Sequence, residues 1–486
     1  MTSNLSNEVS ALNPLVSDPK RCLAPSVPDL LKPNCKNYSE SQSVDTSILQ
    51  PNIVRNDYIR FVLDKKGILH SNSKISLRMK VVGASHKAFQ PLTTGVLSQI
   101  KKCVLRVGTS VLDSTDSFNI LSSYESLLLS NENAMRKERI KTGMVSAYKA
   151  VKTPTMTAGG VLDGTETISK MSLDLQKDFA LSLTAGTGTS TRADDKCPVT
   201  VHDNQNLVND SEFVIELSTL FKSLRFTQLP LFMLEQPVII ELFLESKNVN
   251  RICIPLAQAS TPVYELDTTS PTLIADYIYY SADTMASFAS SNPIMTLPFF
   301  ENQLINTNVN YSDTPSFIRS LGGAGKAIST IKICHTQLNE DLIDSLLNRY
   351  KSNLEESGGN DISYNLKIND EFLFPVKISN PAEQFVNTLQ AEGMPLNITG
   401  RDYDKTLGCS FTSSEVIELH DQTTDLTGNK RWLTIFNLGG QRINNRGIDL
   451  YLDVANANDI DLNQLVWLEI SKTLILANGR FSETYN

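Results

Sequence analysis

The sequence predicts a mainly β fold built from two sandwich domains of similar plan. Apolar and polar residues alternate with a period of two in many short segments, for example at residues 75–81, 213–217 and 448–454. Successive side chains on a strand point to opposite faces, so each segment has one buried face and one polar face. Such strands are typical of antiparallel sandwiches, whereas strands of parallel sheets read as continuous apolar runs.

Two segments depart from this alternation and predict amphipathic helices. Residues 117–139 carry apolar residues at spacings of three and four, with Asp116 or Ser117 as the candidate N-cap, and residues 339–354 repeat the pattern. Each segment follows a strand-like stretch, so strand, helix and further strands occur twice, about 230 residues apart. This repeat predicts two domains that join near residues 290–293.

Composition limits the function classes. Among 486 residues, 41% are hydrophobic, which excludes a wholly disordered chain and suffices for about two to four domains. The net charge of −9, without a basic block, predicts no specific nucleic-acid binding. The chain has only five histidines. Because histidine is the commonest general base and metal ligand, this scarcity argues against an enzyme.

Cysteine usage and hydropathy predict an intracellular protein that is not secreted. The seven cysteines are widely spaced without a C-x-x-C pair, which favours reduced thiols over disulfides or zinc. Residues 1–14 lack the basic start and apolar core of a signal peptide. The most apolar stretch, residues 229–244, is interrupted by prolines and glutamates, so we expect no transmembrane segment.

The first 48 residues predict an extended N-terminal arm. They contain five prolines among serines and asparagines, without sustained periodicity, and their charges nearly cancel. The predicted organisation is therefore an arm at residues 1–48, a first β domain at 49–289 and a second β domain at 290–486.

No segment carries a motif for catalysis, so we predict no catalytic, cofactor-binding or metal-binding residues and no cofactor. The glycine-rich residues 321–327 resemble a phosphate loop, but Ser320 replaces its first glycine and Ala327 its final hydroxyl, which favours a flexible surface turn. Cys334 and His335 are adjacent on a predicted strand, so they face opposite ways and do not form a nucleophile–base pair.

Other isolated polar residues are interpreted as solvent-exposed. Four histidines lie in polar contexts and are assigned to the surface: His70, His86, His202 and His420. Acid–base catalysis needs carboxylates that converge in a pocket. The adjacent acidic pairs Asp194–Asp195 and Glu355–Glu356 are therefore interpreted as solvated loop charges.

Several stretches, taken in order, match motifs of a known family. These are residues 117–128 (an aromatic followed by Glu-x-Leu-Leu), 221–245, 277–280, 327–354, 381–395 and 466–480. In order and spacing they resemble the double jelly-roll major capsid proteins of polinton-like viruses, adintoviruses and virophages. The likeness covers about residues 50–486.

The resemblance implies an all-β fold of two consecutive eight-stranded antiparallel jelly rolls, with short helical insertions. It implies a homotrimer with a pseudo-hexagonal outline that tiles an icosahedral shell around double-stranded DNA. Penton and minor or cement capsid proteins would be its partners, and the virion its location. The loop at 152–200 would lie outside, and the arm would face inward or link neighbouring capsomers.

Two other function classes stay open at this point. A lectin- or adhesin-like β-sandwich binding module would need a secretion signal, and usually aromatic or calcium sites. A hydrolase on a β scaffold would need a convergent triad or carboxylate pair.

The glycine-rich turn generates a first prediction. Lys326→Ala leaves stability and assembly nearly unchanged, because the turn does not bind phosphate. Thermal unfolding and an ATPase assay check this, and ATP turnover that disappears in the variant would contradict it.

Overall fold

The structure is a computed structural model. The residues that it describes are 43–82, 87–89, 95–125, 141–142, 201–203, 212–225, 227–245, 254–255, 263–313, 315–337, 362–378, 434–454 and 461–484. Several predicted features lie outside them: residues 1–42 of the arm, the whole 152–200 loop, the helix at 339–354, both acidic pairs, His86, His420 and the 381–395 motif.

The first half of the molecule comprises strands β1 to β14. Its eight principal strands are β1 Ser43–Leu49, β3 Tyr58–Val62, β5 Lys74–Val82, β7 Ile100–Val107, β8 Ser110–Asp116, β10 Glu212–Glu216, β11 Val238–Leu244 and β14 Thr272–Tyr279. Six short strands accompany them: β2 Ile53–Arg55, β4 Ile68–Leu69, β6 Lys87–Phe89, β9 Val201–Asp203, β12 Ile254–Pro255 and β13 Val263–Leu266. The helices α1 Phe118–Glu125 and α2 Leu217–Leu220 also belong here.

The second half follows the helix α3 Ala282–Ser291 and comprises strands β15 to β23. Its eight principal strands are β15 Ile294–Asn310, β16 Ser316–Gly322, β17 Ala327–Gln337, β18 Ile362–Ile368, β19 Glu371–Phe372, β20 Thr434–Arg442, β21 Ile448–Val454 and β22 Asp461–Ala477. The chain then turns back through β23 Arg480–Thr484, which pairs with β22.

Both halves connect their principal strands in the same order. In the first half, one sheet runs β1-β14-β5-β10 and the other runs β3-β11-β7-β8. In the second half, the corresponding orders are β15-β22-β17-β20 and β16-β21-β18-β19. Counted by position in each half, the two sheets are 1-8-3-6 and 2-7-4-5. Eight antiparallel strands arranged in two facing sheets are the plan of a jelly roll.

The alternation read from the sequence places side chains as predicted. Ile448, Leu450, Leu452 and Val454 on β21 are buried, and the residues between them are partly exposed. Ile75, Leu77 and Met79 on β5 and Phe213 and Ile215 on β10 are likewise buried. Each half therefore encloses its own hydrophobic core, as facing sheets require.

Two strands belong to both cores. β15 and β22 pair over seventeen positions, from Ile294↔Ala477 to Asn310↔Asp461. Apolar residues at one end of this ladder, such as Phe299 and Leu474, lie in the first core. Residues at the other end, such as Val309, Leu462 and Val466, lie in the second core. The longest ladder of the described chain thus joins the two halves.

One local prediction differs from the structure. Residues 43–48, assigned to the arm, form most of β1, because they pair with β14 from Ser43↔Tyr279 onward. The helix expected at 117–139 is present as α1, whose first turn bonds to the Ser117 carbonyl, and residues 126–139 lie outside the described part of the chain. The connecting helix α3 was not predicted; its N-cap Ser281 accepts a hydrogen bond from the Thr284 N–H.

The glycine-rich residues 321–327 form the turn from β16 to β17, as predicted. Gly325 N–H donates to the Ile443 carbonyl (2.9 Å), and Ile443 N–H donates to the Lys326 carbonyl (2.9 Å). The turn also packs against Gly447, where an added Cβ would lie 2.7 Å from the Gly322 carbonyl oxygen. Backbone contacts therefore hold this turn in place.

This packing predicts unequal effects of two glycine substitutions. Gly447 and Gly325 both have a positive φ, but the space beside Gly325 is open. Gly325→Ala should cost about 1 kcal/mol from backbone strain, and Gly447→Ala about 3 kcal/mol because it also displaces a carbonyl. Urea unfolding measures both, and equal losses would contradict the close approach.

Candidate functional site: the buried junction between the two halves

The two halves meet where β8 lies beside β15 in one ten-stranded sheet. The strands run parallel there and pair at Thr115↔Asn302. The Asn302 side-chain amide donates to the Thr115 hydroxyl (3.1 Å). We call this region the junction; it comprises β8, residues 222–225, and the facing parts of β15, β17 and β22.

A buried aspartate anchors the junction from the first half. Asp113 on β8 accepts hydrogen bonds from the Ser223 hydroxyl (2.7 Å) and the Ser223 N–H (3.3 Å). The same hydroxyl accepts a bond from the Phe300 N–H on β15 (2.9 Å). Ser223 therefore bridges a first-half carboxyl group to the second-half backbone.

A second group of charges surrounds Glu469 on β22. Its carboxylate accepts a bond from the Lys222 ammonium of the first half (2.6 Å), and Lys332 Nζ on β17 lies 3.9 Å away. Glu469 and Lys332 are almost fully buried. The pairing with Lys222 compensates for part of the cost of removing these charges from water.

A third contact centres on the buried Lys472. Its ammonium donates to the Glu301 carboxylate (3.0 Å) and to the Val111 carbonyl of β8 (3.0 Å). Nearby, the Trp467 indole N–H donates to the Asp116 carbonyl (3.0 Å). Both bonds run from β22 to β8, so they fix the second half against the edge of the first.

The charged groups of the junction hold the two halves in place. Three lysines face three carboxyl groups: Lys222, Lys332 and Lys472 against Asp113, Glu301 and Glu469. A buried charge left without its partner is strongly destabilising, so these contacts favour one relative placement of the two halves. Among the described residues, no group of three or more His, Cys, Asp or Glu side chains is arranged to hold a metal.

Comparisons with known proteins address the fold as a whole. No protein-family model matches the chain, and no curated protein matches it in sequence. Its structure is similar to that of PBCV-1 VP54, fitted into a cryo-EM reconstruction of the virophage Sputnik. That match has a TM-score of 0.50 and 10% identity, and covers 92% of this chain and 97% of VP54.

The chain has the double jelly-roll fold. The similarity to VP54 spans both halves, and the fold class predicted from the sequence is confirmed. Two other matches are a chain of the Sputnik virophage cryo-EM structure (TM-score 0.49, 9% identity, 91% and 88% coverage) and the mavirus major capsid protein (TM-score 0.45, 7% identity, 90% and 90% coverage).

His70 corrects one sequence-based assignment. It was assigned to the surface, but it is buried, and its Nδ1 accepts a hydrogen bond from the Asn72 N–H (3.0 Å). Burial lowers the pKa of His70, and the nearby Asp276 opposes that effect. The polar residues around it in the sequence suggested solvent exposure, but the turn between β4 and β5 folds under β14.

The junction charges were missed entirely at the sequence level. Lys332 and Glu469 occupy the polar positions of alternating strands, which normally face water. Here those faces cover the other half of the molecule. The only available signal was the unusual length of the C-terminal strand, which exceeds what one jelly roll needs.

Cys334 and His335 are both buried, on opposite faces of β17, as strand geometry requires. His335 Nε2 lies 2.8 Å from the Tyr311 hydroxyl, which also accepts a bond from the Gln464 amide (2.9 Å). Burial lowers the pKa of His335 to about 3, so the ring is neutral within the second core.

No described helix is both long enough and apolar enough to span a bilayer. The cysteines Cys103 and Cys334, the two that the described residues include, are buried free thiols.

Two buried groups make stability depend on pH in opposite directions. Burial raises the pKa of Asp113 from 3.8 to about 7, although the hydrogen bonds that Ser223 donates act to lower it. The folded state then holds a proton that the unfolded state has lost, so Asp113 lowers stability as the pH rises from 4 to 7. His335 binds its proton only in the unfolded state between pH 6.5 and 3, so it lowers stability as the pH falls.

Single variants should expose these opposing slopes. Between pH 8 and pH 5, Asp113→Asn should lose stability by about 2 kcal/mol or more, since His335 and, in the same direction, His70 then dominate the pH dependence. His335→Gln should gain stability by about 2 kcal/mol over the same interval, since Asp113 then dominates. Urea unfolding at both pH values measures the change, each variant serves as control for the other, and identical slopes would contradict the assignment.

Proposed function

We propose that this chain is the major structural subunit of an icosahedral double-stranded DNA virus shell. The observation that carries the proposal is the double jelly-roll fold, similar along nearly the whole chain to VP54 as placed in a virophage reconstruction. The sequence motifs that resemble capsid proteins of virophages and related viruses support the same function.

The subunit would act as a homotrimer with six similar jelly rolls in a pseudo-hexagonal outline. Trimers would then assemble into the capsid lattice, with penton and minor or cement proteins as further partners. The virion would be its location, after assembly inside the host cell. We propose no enzymatic activity, because the charges gathered at the junction are paired with one another and hold the halves in place.

The binding-module alternative is less well supported. A lectin or adhesin needs only one sandwich to present a site, whereas this chain has two sandwiches in a single shared sheet. A joint of this kind makes a rigid building block.

The proposal includes the residue ranges of the two jelly rolls and of the arm. The first jelly roll, predicted at 49–289, extends to 43–289 because it includes β1, and the second remains 290–486, joined to it through α3. The arm would link capsomers, and since residues 43–48 lie in β1, its independent part is residues 1–42.

Mass and assembly test the function. The purified protein should be a trimer of about 160 kDa, three times the 53.8 kDa of one chain. A variant lacking residues 1–42 should stay a folded trimer but fail to form shells, since it keeps β1 and loses the linking segment. Light scattering and negative-stain images check both results. A monomer at micromolar concentration would overturn the capsid proposal, and normal shells from the truncated chain would overturn the role of the arm.

A further inference from the structure

The two sheet edges that meet at the junction between the halves are of different kinds. The junction brings the fifth principal strand of one jelly roll, β8, beside the first principal strand of another, β15. The chain therefore uses one fifth-strand edge and one first-strand edge internally. Within the described residues, the two corresponding edges, β19 and β1, each have a neighbouring strand on one side only.

Large apolar side chains are exposed at both of these edges. Val44 and Ile48 on β1 are 52% and 69% exposed, while Phe372 on β19 and Val376 just after it are 53% and 77% exposed. Three other large apolar residues in the described part of the chain are exposed, Phe243, Ile294 and Ile318, so four of the seven lie at or just after these two edge strands. Exposed apolar edge strands are sites of strand association.

On β1, the exposed residues share one face of the sheet. Val44 and Ile48 stand opposite Ile278 and Ile274 of β14, and the Thr46 hydroxyl between them bonds to Asp276 (2.7 Å). Leu273, Ala275 and Tyr277, which alternate with these positions on β14, face the core; Ile274 is partly exposed, whereas Ile278 is buried. The apolar side chains of β1 therefore form a strip on the outer surface, beside the free edge.

On β19, the exposed ring also lies on the outer surface. Phe372 stands opposite Lys367 of β18, and its ring meets that of Tyr451 edge-on, with centroids 5.2 Å apart. Tyr451 alternates with the core residues of β21. Each free edge thus has an apolar outer strip that a strand placed alongside would cover.

We propose that β1 of one copy of this chain lies beside β19 of the next copy, repeating between molecules the joint that β8 and β15 make within one. The inference rests on the proposed function, because the capsomer supplies the neighbouring copy. Every copy offers one edge of each kind, so the contact is head-to-tail, and with the threefold rotation of a trimer it closes in a ring. Three copies then have six joints of one type, alternately internal and intermolecular.

A second copy fits this surface better than a different partner would. The internal joint already shows that a fifth-strand edge and a first-strand edge of this fold meet in one sheet. The two edges occur in equal number on each chain, so a closed ring leaves neither exposed. A foreign partner would cover one apolar edge and leave the other in water.

Cross-linking between two variants that each carry one added cysteine tests which edges meet. Ile48→Cys and Phe372→Cys chains are unfolded together, refolded as mixed oligomers and treated with a short bis-maleimide. A cross-linked pair of chains should form in the mixture and not in either variant alone, since a head-to-tail contact never places two identical residues together. Ile294→Cys mixed with Phe372→Cys is the matched control, because Ile294 is 66% exposed but lies away from both edges; wild type reports reaction of the native cysteines.

A charge substitution tests how much the contact between β1 and β19 contributes to trimer formation. Ile48→Asp should raise the protein concentration needed for half-maximal trimer by at least ~30-fold, since a buried isoleucine is replaced by a carboxylate. Ile294→Asp should leave that concentration unchanged. Light scattering over a dilution series measures both, and an unchanged thermal midpoint shows that each variant is folded.

The outcomes separate the two proposals. A trimeric wild type without the specific cross-link, or with an unaffected Ile48→Asp variant, overturns the edge pairing and leaves the capsid function standing. The specific cross-link in an oligomer other than a trimer supports the edge pairing and contradicts the capsomer. A monomeric wild type overturns both.

Discussion

The antiparallel ladder between β15 and β22 is the constraint on which the rest of the structure depends. Its seventeen pairs are continuous from one core to the other. Because each strand carries apolar residues into both cores, neither half is complete without it. Backbone hydrogen bonds along such a ladder resist bending, so the ladder transmits the position of one jelly roll to the other.

The ladder fixes the direction in which one half extends from the other. The charges at the junction fix the rest of their relative placement. Glu469 and Lys472 lie on β22 and reach Lys222 and Val111 of the first half. Burying these ions costs more than burying apolar residues of the same size, so they are poor devices for stability alone. Their contribution is to select one relative placement of the two halves. A shift of one half against the other would leave a buried charge without its partner, and that penalty restricts the joint to a single arrangement.

Much of the fold could be predicted from the sequence, because alternation along each strand depends only on local geometry. The buried faces of β5, β10 and β21 follow directly from it. The order of strands in the sheets could not be predicted this way, since pairing depends on contacts between distant residues. The same limitation explains the wrong assignment of His70 and the failure to predict the burial of Lys332. Both look solvent-facing in their own segment and are buried by elements far away in the chain.

Residues 43–48 illustrate why a chain end is hard to interpret locally. They follow a proline-rich segment and include four polar side chains, so nothing in their composition distinguishes them from the arm. Their identity as a strand comes from β14, which supplies the pairing partners. A strand at a sheet edge is covered on one side only, and its outer apolar residues gain their burial from whatever lies beyond. For β1, the internal joint between β8 and β15 shows what kind of edge fits there, so the fold of one chain already contains the template for meeting the next.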